Sequence, residues 1–321
     1  MKTLISILLS VGSLVMLSGP AVAQNQLLSK DERKLVAKYD LSKVGYREIG
    51  RGFNMMSPVE EMELGSDMAE EIDANTSFIT DPQLVDYVNQ LGKRILQHSD
   101  TPMPMRFKII DNDEINACAL PNGVVYVNKG LLLAAANEAE LAGVISHEIA
   151  HVAAHHTSRT SSKRQVLGFV NLGVTMLTGG MTQAISQPVM GIASQALALK
   201  FDRNAEREAD LLGMQYQYLS GYDPGAFISF LERVSKNDAK QAKWLERMVA
   251  THPATSERIA RAQRVIEVLL PPKADYILDT SEFVDARQRL AQLESTKLGL
   301  GLEQKPVLRR IQLQTTNFYA E

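Results

Sequence analysis

The spacing of hydrophobic residues predicts helices for most of the chain and strands in one short stretch. After Pro82, apolar residues recur at helical spacing. These are Leu84, Val85, Val88, Leu91 and Ile95. Residues 105–110 alternate between apolar and polar side chains, which predicts a strand, and residues 117–127 predict a hairpin or a bent strand pair.

Capping residues indicate where the other helices begin. Ser57 precedes Pro58, and Asn137 lies three positions before Glu140, which are both helix-start signals. Further helices are predicted near 202–220, 224–236, 254–270 and 281–295. The chain is therefore predicted to be α+β and mainly helical, with a small sheet beside the helix that begins at Asn137.

Residues 165–199 form a stretch of 35 residues without a charged side chain. One glycine pair, Gly179-Gly180, a proline and several amides interrupt this stretch, which makes it a poor membrane span. We interpret it as helices and a Gly-rich loop that cover a groove. A membrane-embedded hairpin, or a surface resting on a membrane or a partner, is the alternative.

The first 23 residues have the pattern of a secretory signal peptide. Lys2 is followed by an apolar run from Leu4 to Leu17, and Ala21-Val22-Ala23 has the small-residue pattern of a cleavage site. We predict export to the periplasm with cleavage after Ala23. An uncleaved anchor is the alternative, although the apolar run is shorter than the ~20 residues that a span needs.

Composition and charge exclude several classes of protein. The 321 residues are 45% apolar and include 34 basic and 37 acidic side chains, for a formal charge of -3. This balance predicts no nucleic-acid partner. A single cysteine, Cys118, excludes an internal disulfide and a cysteine-rich zinc site. Any metal would therefore be bound by histidine and carboxylate side chains.

The sequence His147-Glu148-Ile149-Ala150-His151 is the strongest chemical signal. Helical residues four apart lie about 40° from each other round the axis, so His147 and His151 present two imidazoles to one point. Such a pair suits zinc, which takes nitrogen ligands in tetrahedral geometry. Glu148 would then lie beside the metal, where a general base takes a proton from a metal-bound water.

Zinc needs a third protein ligand, and the charged helix near 202–220 offers candidates. Glu206 and Asp210 lie four residues apart on one face, and Arg203 lies within one turn of both. Helical spacing does not exclude Glu208 as the ligand. A charge-rich helix that only faces solvent is the alternative to a ligand helix.

The order of the motifs resembles the M48 family of metallopeptidases, which includes CAAX prenyl proteases and periplasmic outer-membrane quality-control proteases. HEIAH is followed by E-x-x-x-D at 206–210 and by Thr-His-Pro at 251–253, before Arg258-Ile259. The segment 116–132 also resembles the strand and turn before the zinc helix of the family. The resemblance covers about residues 57–266.

The resemblance implies a division of the chain into four parts, with a boundary at Pro271-Pro272. These parts are a signal peptide at 1–23, an N-terminal extension at 24–56, a zincin-type M48 peptidase domain at 57–270 and a C-terminal extension at 271–321. The C-terminal extension is expected to consist of a helix and a tail.

Matched position by position, the resemblance implies one zinc ion per chain and Glu148 as the catalytic base. The implied zinc ligands are His147, His151 and Glu206. This choice favours Glu206 over Glu208. Asp210 and Arg203 would then lie next to the ligand side chains and fix their orientation.

His252 has two interpretations. In periplasmic members of the family, the equivalent Thr-His-Pro loop covers the cleft and offers its histidine to zinc as a plug, which keeps the enzyme latent. Alternatively, His252 caps a helix before Pro253. His155 follows the stripe of the zinc histidines and is expected to support them or face solvent. His156 is expected to point the opposite way, and both His156 and His98 are expected to be structural.

The resemblance implies a zinc endopeptidase that hydrolyses peptide bonds of unfolded or misassembled envelope proteins. The strand near 117–120 would hold the substrate in extended form. Outer-membrane proteins are the expected substrates, and the outer-membrane assembly machinery is a candidate partner. One alternative is a periplasmic chaperone or assembly factor that binds outer-membrane clients with little or no cleavage. Another is a purely structural zinc site.

Overall fold

The computed structural model describes residues 29–50, 52–163, 203–236, 252 and 255–297. The predicted signal peptide and the charge-free stretch at 165–199 lie outside the described residues. The helices with defined bounds are α1 (Lys30–Lys38), α2 (Pro58–Asn75), α3 (Pro82–Leu96), α4 (Lys129–Ala134), α5 (Glu138–Ala153), α6 (Arg203–Leu219), α7 (Gly225–Lys236), α8 (Ser256–Leu269) and α9 (Ser281–Lys297). A further helical segment begins at residue 156.

One mixed sheet of four strands accompanies these helices in the described part of the chain. The strands are β1 (Phe78–Ile79), β2 (Arg106–Ile110), β3 (Ala117–Ala119) and β4 (Val124–Asn128). Their order is β1-β2-β4-β3, with β2 and β4 parallel and the two outer pairs antiparallel. The predicted strand near 105–110 and the predicted hairpin are therefore confirmed.

Strand β3 lies at the edge of this sheet and pairs with β4 on one side. The hydrogen bonds from Leu120 N to Val124 O and from Asn128 N to Asn116 O lie on the β4 side. In an antiparallel pair, the backbone N–H and C=O of successive residues point alternately toward the partner strand and away from it. The backbone polar groups of Ala117 and Ala119 therefore point away from β4. The outer edge of β3 is thus directed toward the neighbouring helix α5.

The predicted helix starts are confirmed by side-chain caps. Ser57 Oγ accepts a hydrogen bond from Glu60 N at 3.3 Å, and the Glu60 carboxylate accepts one from Ser57 N at 2.7 Å. Asn137 Oδ1 accepts a hydrogen bond from Glu140 N at 2.9 Å. The Glu140 carboxylate accepts from Ala136 N, one residue before the cap. These contacts satisfy backbone N–H groups that a helix start leaves unpaired.

Helix α5, which carries the HEIAH sequence, is the central element of the core. It packs against α3, α6, α7 and β3, and each of its residues is buried. The prediction of a mainly helical α+β fold with a small sheet beside this helix is confirmed. Polar side chains on α5 therefore lie in an environment of low dielectric constant, where each one needs a partner.

Glycine allows α6 to approach α5 closely. A Cβ atom added at Gly213 would lie 2.9 Å from the Cα of His147 and 3.0 Å from its backbone nitrogen. Both atoms belong to the backbone of a buried helix, so neither can turn aside. The approach fixes the position of the carboxylates of α6 relative to the histidines of α5.

Parts of both predicted extensions pack on the predicted peptidase domain. Tyr39, which follows α1, is buried, and so is Leu290 of α9. Ala139 N donates a hydrogen bond to Leu278 O, and Ile277 N donates one to Gly221 O. Among the described helices, none has both the length and the apolar character that crossing a bilayer requires.

We expect Gly213→Ala to lower the free energy of unfolding by about 1–3 kcal/mol, since the added methyl group must push α6 away from α5. Thermal or urea unfolding measures the change. Ser66→Ala, on the exposed face of α2, is the control and should change stability by less than about 0.5 kcal/mol. Equal stabilities for the two variants would contradict the close approach.

Candidate metal centre

Two buried imidazoles face each other one turn apart on α5. The Nε2 atoms of His147 and His151 lie 3.0 Å apart, and the two rings meet edge to face. Both side chains are almost fully buried, with 3% and 2% exposed. Helical spacing alone places them on one face, as the sequence predicts.

Glu206 of helix α6 and His252 complete the cluster. Glu206 Oε2 lies 3.5 Å from His147 Nε2, and Glu206 Oε1 lies 3.4 Å from His151 Nε2. His252 Nδ1 lies 2.8 Å from Glu206 Oε1 and 3.4 Å from His147 Nε2. One ligand atom from each of these four buried side chains lies within 4.8 Å of all the others.

The separations of these atoms fit a zinc ion. In a tetrahedral site with bonds of about 2.0–2.1 Å, neighbouring ligand atoms lie about 3.3 Å apart. The distances from His147 and His151 to each other and to Glu206 are 3.0, 3.4 and 3.5 Å. His252 Nδ1 stands at 3.4 Å from His147 Nε2, as a fourth ligand atom would. The donor set of imidazole and carboxylate is also the one that zinc takes.

The carboxylate of Glu206 also fits a cation. Its Oε2 atom is buried, and among the described residues it receives no hydrogen bond of good geometry, although Arg258 Nη1 lies 3.0 Å away. Burial opposes ionisation, but the facing imidazoles, first that of His252 and then that of His147, hold the pKa of Glu206 well below its ordinary value. A charged oxygen therefore faces the point where the imidazole nitrogens meet.

Glu148 lies beside the cluster and faces β3. Its Oε2 accepts a hydrogen bond from Ala119 N at 3.1 Å, and its Oε1 lies 3.7 Å from His252 Nε2. Burial raises the pKa of Glu148 above its ordinary value, against the opposing effect of the nearby histidines. A carboxylate with a raised pKa accepts a proton more readily, which is the property of a general base.

Asp210 and Arg258 stand behind His147. Asp210 Oδ1 lies 3.1 Å from His147 Nδ1, and Arg258 donates to both Asp210 oxygens at 2.6 and 2.8 Å. Burial alone would lower the pKa of His147, but Asp210 and Glu206 raise it to about 9. Asp210 thus lies beside the ring nitrogen of His147 that faces away from His151, and its supporting role stays a prediction, whereas sequence reasoning gave Arg258 no role.

Arg258 also holds the residue that the sequence singled out as a plug. Its Nη1 donates to the backbone oxygen of His252 at 3.2 Å. Arg258 lies in the first turn of α8, where its N–H is capped by Thr255 Oγ1. In the sequence, Arg258 stood out only because Arg258-Ile259 is the last of the motifs that resemble the M48 family.

The structure places the other candidate residues farther from the cluster. Arg203 is exposed on the first turn of α6, so its supporting role stays a prediction. His155 is partly exposed and pairs with Glu61 at 2.7 Å, which agrees with the expected solvent-facing position. His98 is exposed, and its Nδ1 lies 3.0 Å from Arg94 O.

The prediction that His156 points away from His147 and His151 is wrong. Its Nδ1 lies 2.8 Å from His151 Nδ1. The prediction extended α5 as a regular helix, but α5 ends at Ala153 and His155 has a φ of 54°. This left-handed residue turns the chain back, so the side chain of His156 returns to the face of His151.

Comparison with known proteins agrees with this centre. The sequence profile of peptidase family M48 matches residues 82–266. The beta-barrel assembly-enhancing protease of Yersinia pestis is 32% identical over 219 residues, which is 66% of this chain and 45% of the relative. The protein of the same name from Escherichia coli K12 is 31% identical over 222 residues, with the same two shares.

A mitochondrial relative is also similar. The mitochondrial metalloendopeptidase OMA1 of Schizosaccharomyces pombe is 32% identical over 187 residues, which is 58% of this chain and 52% of that protein. The chain thus spans about half the length of the curated relatives that it matches.

The matched segment covers more than half of the chain and includes all the residues of the cluster. The predicted family is thereby confirmed: the chain belongs to peptidase family M48, a family of metallopeptidases.

Proposed function

We propose that this chain is a zinc-dependent endopeptidase with one zinc ion, held by His147, His151 and Glu206. The observation that carries the proposal is the meeting of these three buried side chains beside the buried carboxylate of Glu148. Bound zinc would supply Lewis-acid chemistry, polarising the scissile carbonyl and activating water. The names of the relatives, a protease and a metalloendopeptidase, support the same reaction class.

The side chains around the cluster would transfer the proton and orient the reacting groups. Glu148 takes the proton of the attacking water and delivers it to the leaving amine nitrogen. The hydrogen bond from Ala119 N holds its carboxylate at the end of β3, where a scissile bond would lie. Asp210 and Arg258 keep the His147 ring turned so that Nε2 faces the cluster.

The outer edge of β3 supports an extended substrate. The N–H of Ala117 and the C=O groups of Ala117 and Ala119 face away from β4, where a polypeptide could add as a strand beside the sheet. The N–H of Ala119 is already bonded to Glu148. Recognition through the backbone requires a segment without secondary structure of its own. Unfolded or misassembled proteins offer such segments, whereas compact proteins do not.

A cavity of about 300 Å³ supports apolar substrate side chains. It lies between α2, the loop before β2 and the C-terminal end of α5, and His151 forms part of its wall. Its apolar lining residues include Pro58, Met62, Met103, Pro121 and Val152. Because Pro121 lies two residues after the end of β3, a substrate strand along β3 would bring a side chain to this cavity, which has room for leucine or phenylalanine.

The same proposal places the protein in the cell envelope. The pattern of residues 1–23 supports export to the periplasm with cleavage after Ala23. The names of the bacterial relatives associate those proteins with β-barrel assembly. Outer-membrane polypeptides are the substrates that we propose, with the outer-membrane assembly machinery as a partner.

We further propose that His252 is a plug that keeps the enzyme latent. Its Nδ1 atom lies 3.4 Å from His147 Nε2, the separation expected of a fourth ligand, and is in hydrogen-bond contact with Glu206 Oε1 at 2.8 Å. Its ring also lies between Glu206 and Glu148, since Nε2 is 3.7 Å from the Glu148 carboxylate. Water and substrate need this position, so His252 must leave before cleavage.

We expect Glu148→Gln to bind about one zinc per chain, as the wild type does, but to cleave casein about 10²–10⁴-fold more slowly, because the general base is lost. Metal analysis and a casein assay on the mature protein measure the two properties. Glu63→Gln, exposed on α2, is the control. Wild type that binds zinc and unfolded clients without cleavage would instead favour the chaperone alternative.

We expect His252→Ala to cleave casein up to about tenfold faster than the wild type, because the fraction of molecules with an open site rises. Zinc content should remain about one per chain, since the other three side chains stay in place. His98→Ala, at an exposed histidine, is the control. Unchanged or lost cleavage in His252→Ala would show that His252 is not a plug.

We expect Met62→Glu to raise KM for peptides with leucine or phenylalanine at one fixed position about tenfold or more, because a charge enters the apolar cavity. Cleavage-site profiling of denatured proteins identifies the position. Val59→Glu is a matched control, since Val59 is exposed on the same helix but does not line the cavity. Equal effects of the two variants would exclude this cavity as a subsite.

A further inference from the structure

We propose that His156 and Glu208 form a positioning pair that fixes the tautomer and the ring orientation of His151 and thereby sets the affinity of the centre for zinc. The inference rests on the proposed zinc centre, but neither residue lies among the four that could hold the metal. Both are buried on the side of His151 that faces away from Glu206.

Three buried side chains form a continuous chain of contacts. His151 Nδ1 lies 2.8 Å from His156 Nδ1, and His156 Nε2 lies 3.0 Å from Glu208 Oε2. The two imidazole rings are 4.8 Å apart between centroids and meet at 72°. The exposed fractions of His151, His156 and Glu208 are 2%, 2% and 6%. These contacts are too short and too well shielded from water to be incidental.

The chemistry of the groups assigns every proton in this chain. An ionised carboxylate only accepts hydrogen bonds, so His156 must donate from Nε2 to Glu208. A neutral imidazole that donates from one nitrogen accepts at the other, so His156 Nδ1 accepts from Nδ1–H of His151. The lone pair of His151 then lies on Nε2, the nitrogen that faces His147 and Glu206. This tautomer is the one that a metal ligand needs.

Glu208 is itself held in place from two directions. Arg159 Nη1 donates to Oε2 at 3.0 Å, and Lys38 Nζ lies 3.2 Å from Oε1. The hydroxyl of Tyr39 donates to the same Oε1 atom. Fixed charges and a phenol therefore hold the carboxylate ionised and oriented, so the start of the chain of contacts does not depend on the metal.

The two histidines of α5 are thus oriented by different devices. His147 meets a carboxylate directly, with Asp210 Oδ1 at 3.1 Å from Nδ1. His151 meets the carboxylate of Glu208 through the ring of His156. This difference explains why α6 carries both Glu206 and Glu208. Glu206 faces the cluster, while Glu208 lies on the far side of His151.

The neighbouring residue provides a matched control for this pair. His155 contacts Glu61 at 2.7 Å, so it also forms a histidine–carboxylate pair, next to His156 in sequence. It lies at the surface, and its imidazole ring points to α2. Loss of a histidine–carboxylate pair at this end of α5 is therefore separable from loss of the contact with His151.

The test compares the zinc affinities of His156→Phe, His156→Asn and His155→Asn, by competition with a chelator of known affinity at one pH. His156→Phe keeps a ring but has no acceptor, and we expect a 10–100-fold loss of affinity, as for other groups that orient metal ligands. In His156→Asn, Oδ1 stands in the place of Nδ1 but no group replaces Nε2 beside Glu208, so the affinity should lie between those of His156→Phe and the wild type. His155→Asn removes the imidazole that contacts Glu61, and asparagine accepts the left-handed backbone of this position, so its affinity should match that of the wild type.

Two results would overturn the inference: wild-type affinity in His156→Phe, or an affinity of His156→Asn as low as that of His156→Phe, which would indicate packing alone. If His156→Phe does not fold, Glu208→Gln takes its place, since it keeps the size of the side chain and removes its charge. Unchanged affinity in Glu208→Gln would then overturn the inference. Wild-type protein that binds no zinc would overturn the proposed function itself.

Discussion

The close contact between α5 and α6 is the constraint on which the centre depends. Gly213 lets the backbone of α6 lie against that of His147, and the carboxylates one and two turns before it are thereby brought to the histidines. Glu206 reaches the Nε2 side of His147, and Asp210 reaches its Nδ1 side. One helix thus presents both carboxylates to two nitrogens of the same ring.

Burial of this contact makes charge balance the second constraint. Among the described residues, three buried carboxylates, those of Glu148, Glu206 and Asp210, surround the histidines, and the guanidinium of Arg258 pairs with two of them, Glu206 and Asp210. Uncompensated charges in a low-dielectric interior are costly, and a divalent cation between the imidazoles would balance the remaining negative charge. The facing imidazoles hold the pKa of Glu206 below its ordinary value, whereas burial raises the pKa of Glu148, so the proposed ligand and the proposed base differ through their surroundings.

Arg258 joins the ligands to the residue that we propose as a plug. It binds Asp210 through two nitrogens and the backbone oxygen of His252 through a third. Departure of His252 would break one of these hydrogen bonds and leave the pair with Asp210 in place. His252 could then move away while Asp210 stays in contact with His147. A latent state that is reversible requires that the site remain intact in this way.

The sequence by itself determined the features that depend on short-range geometry. The pairing of His147 and His151, the caps at Ser57 and Asn137, and the hairpin of β3 and β4 follow from spacing within one turn or one strand pair. These contacts hold in any fold that keeps the local element, because the backbone geometry alone sets them.

Only the tertiary structure decided which distant side chains meet the histidines. Helical spacing left Glu206 and Glu208 equivalent, and their separation into a metal-facing and a His156-facing carboxylate depends on the angle at which α6 packs on α5. The approach of Arg258 depends on α8, and that of His156 on the left-handed turn at His155. Packing and chain reversal place these groups, and neither leaves a periodic trace in the sequence.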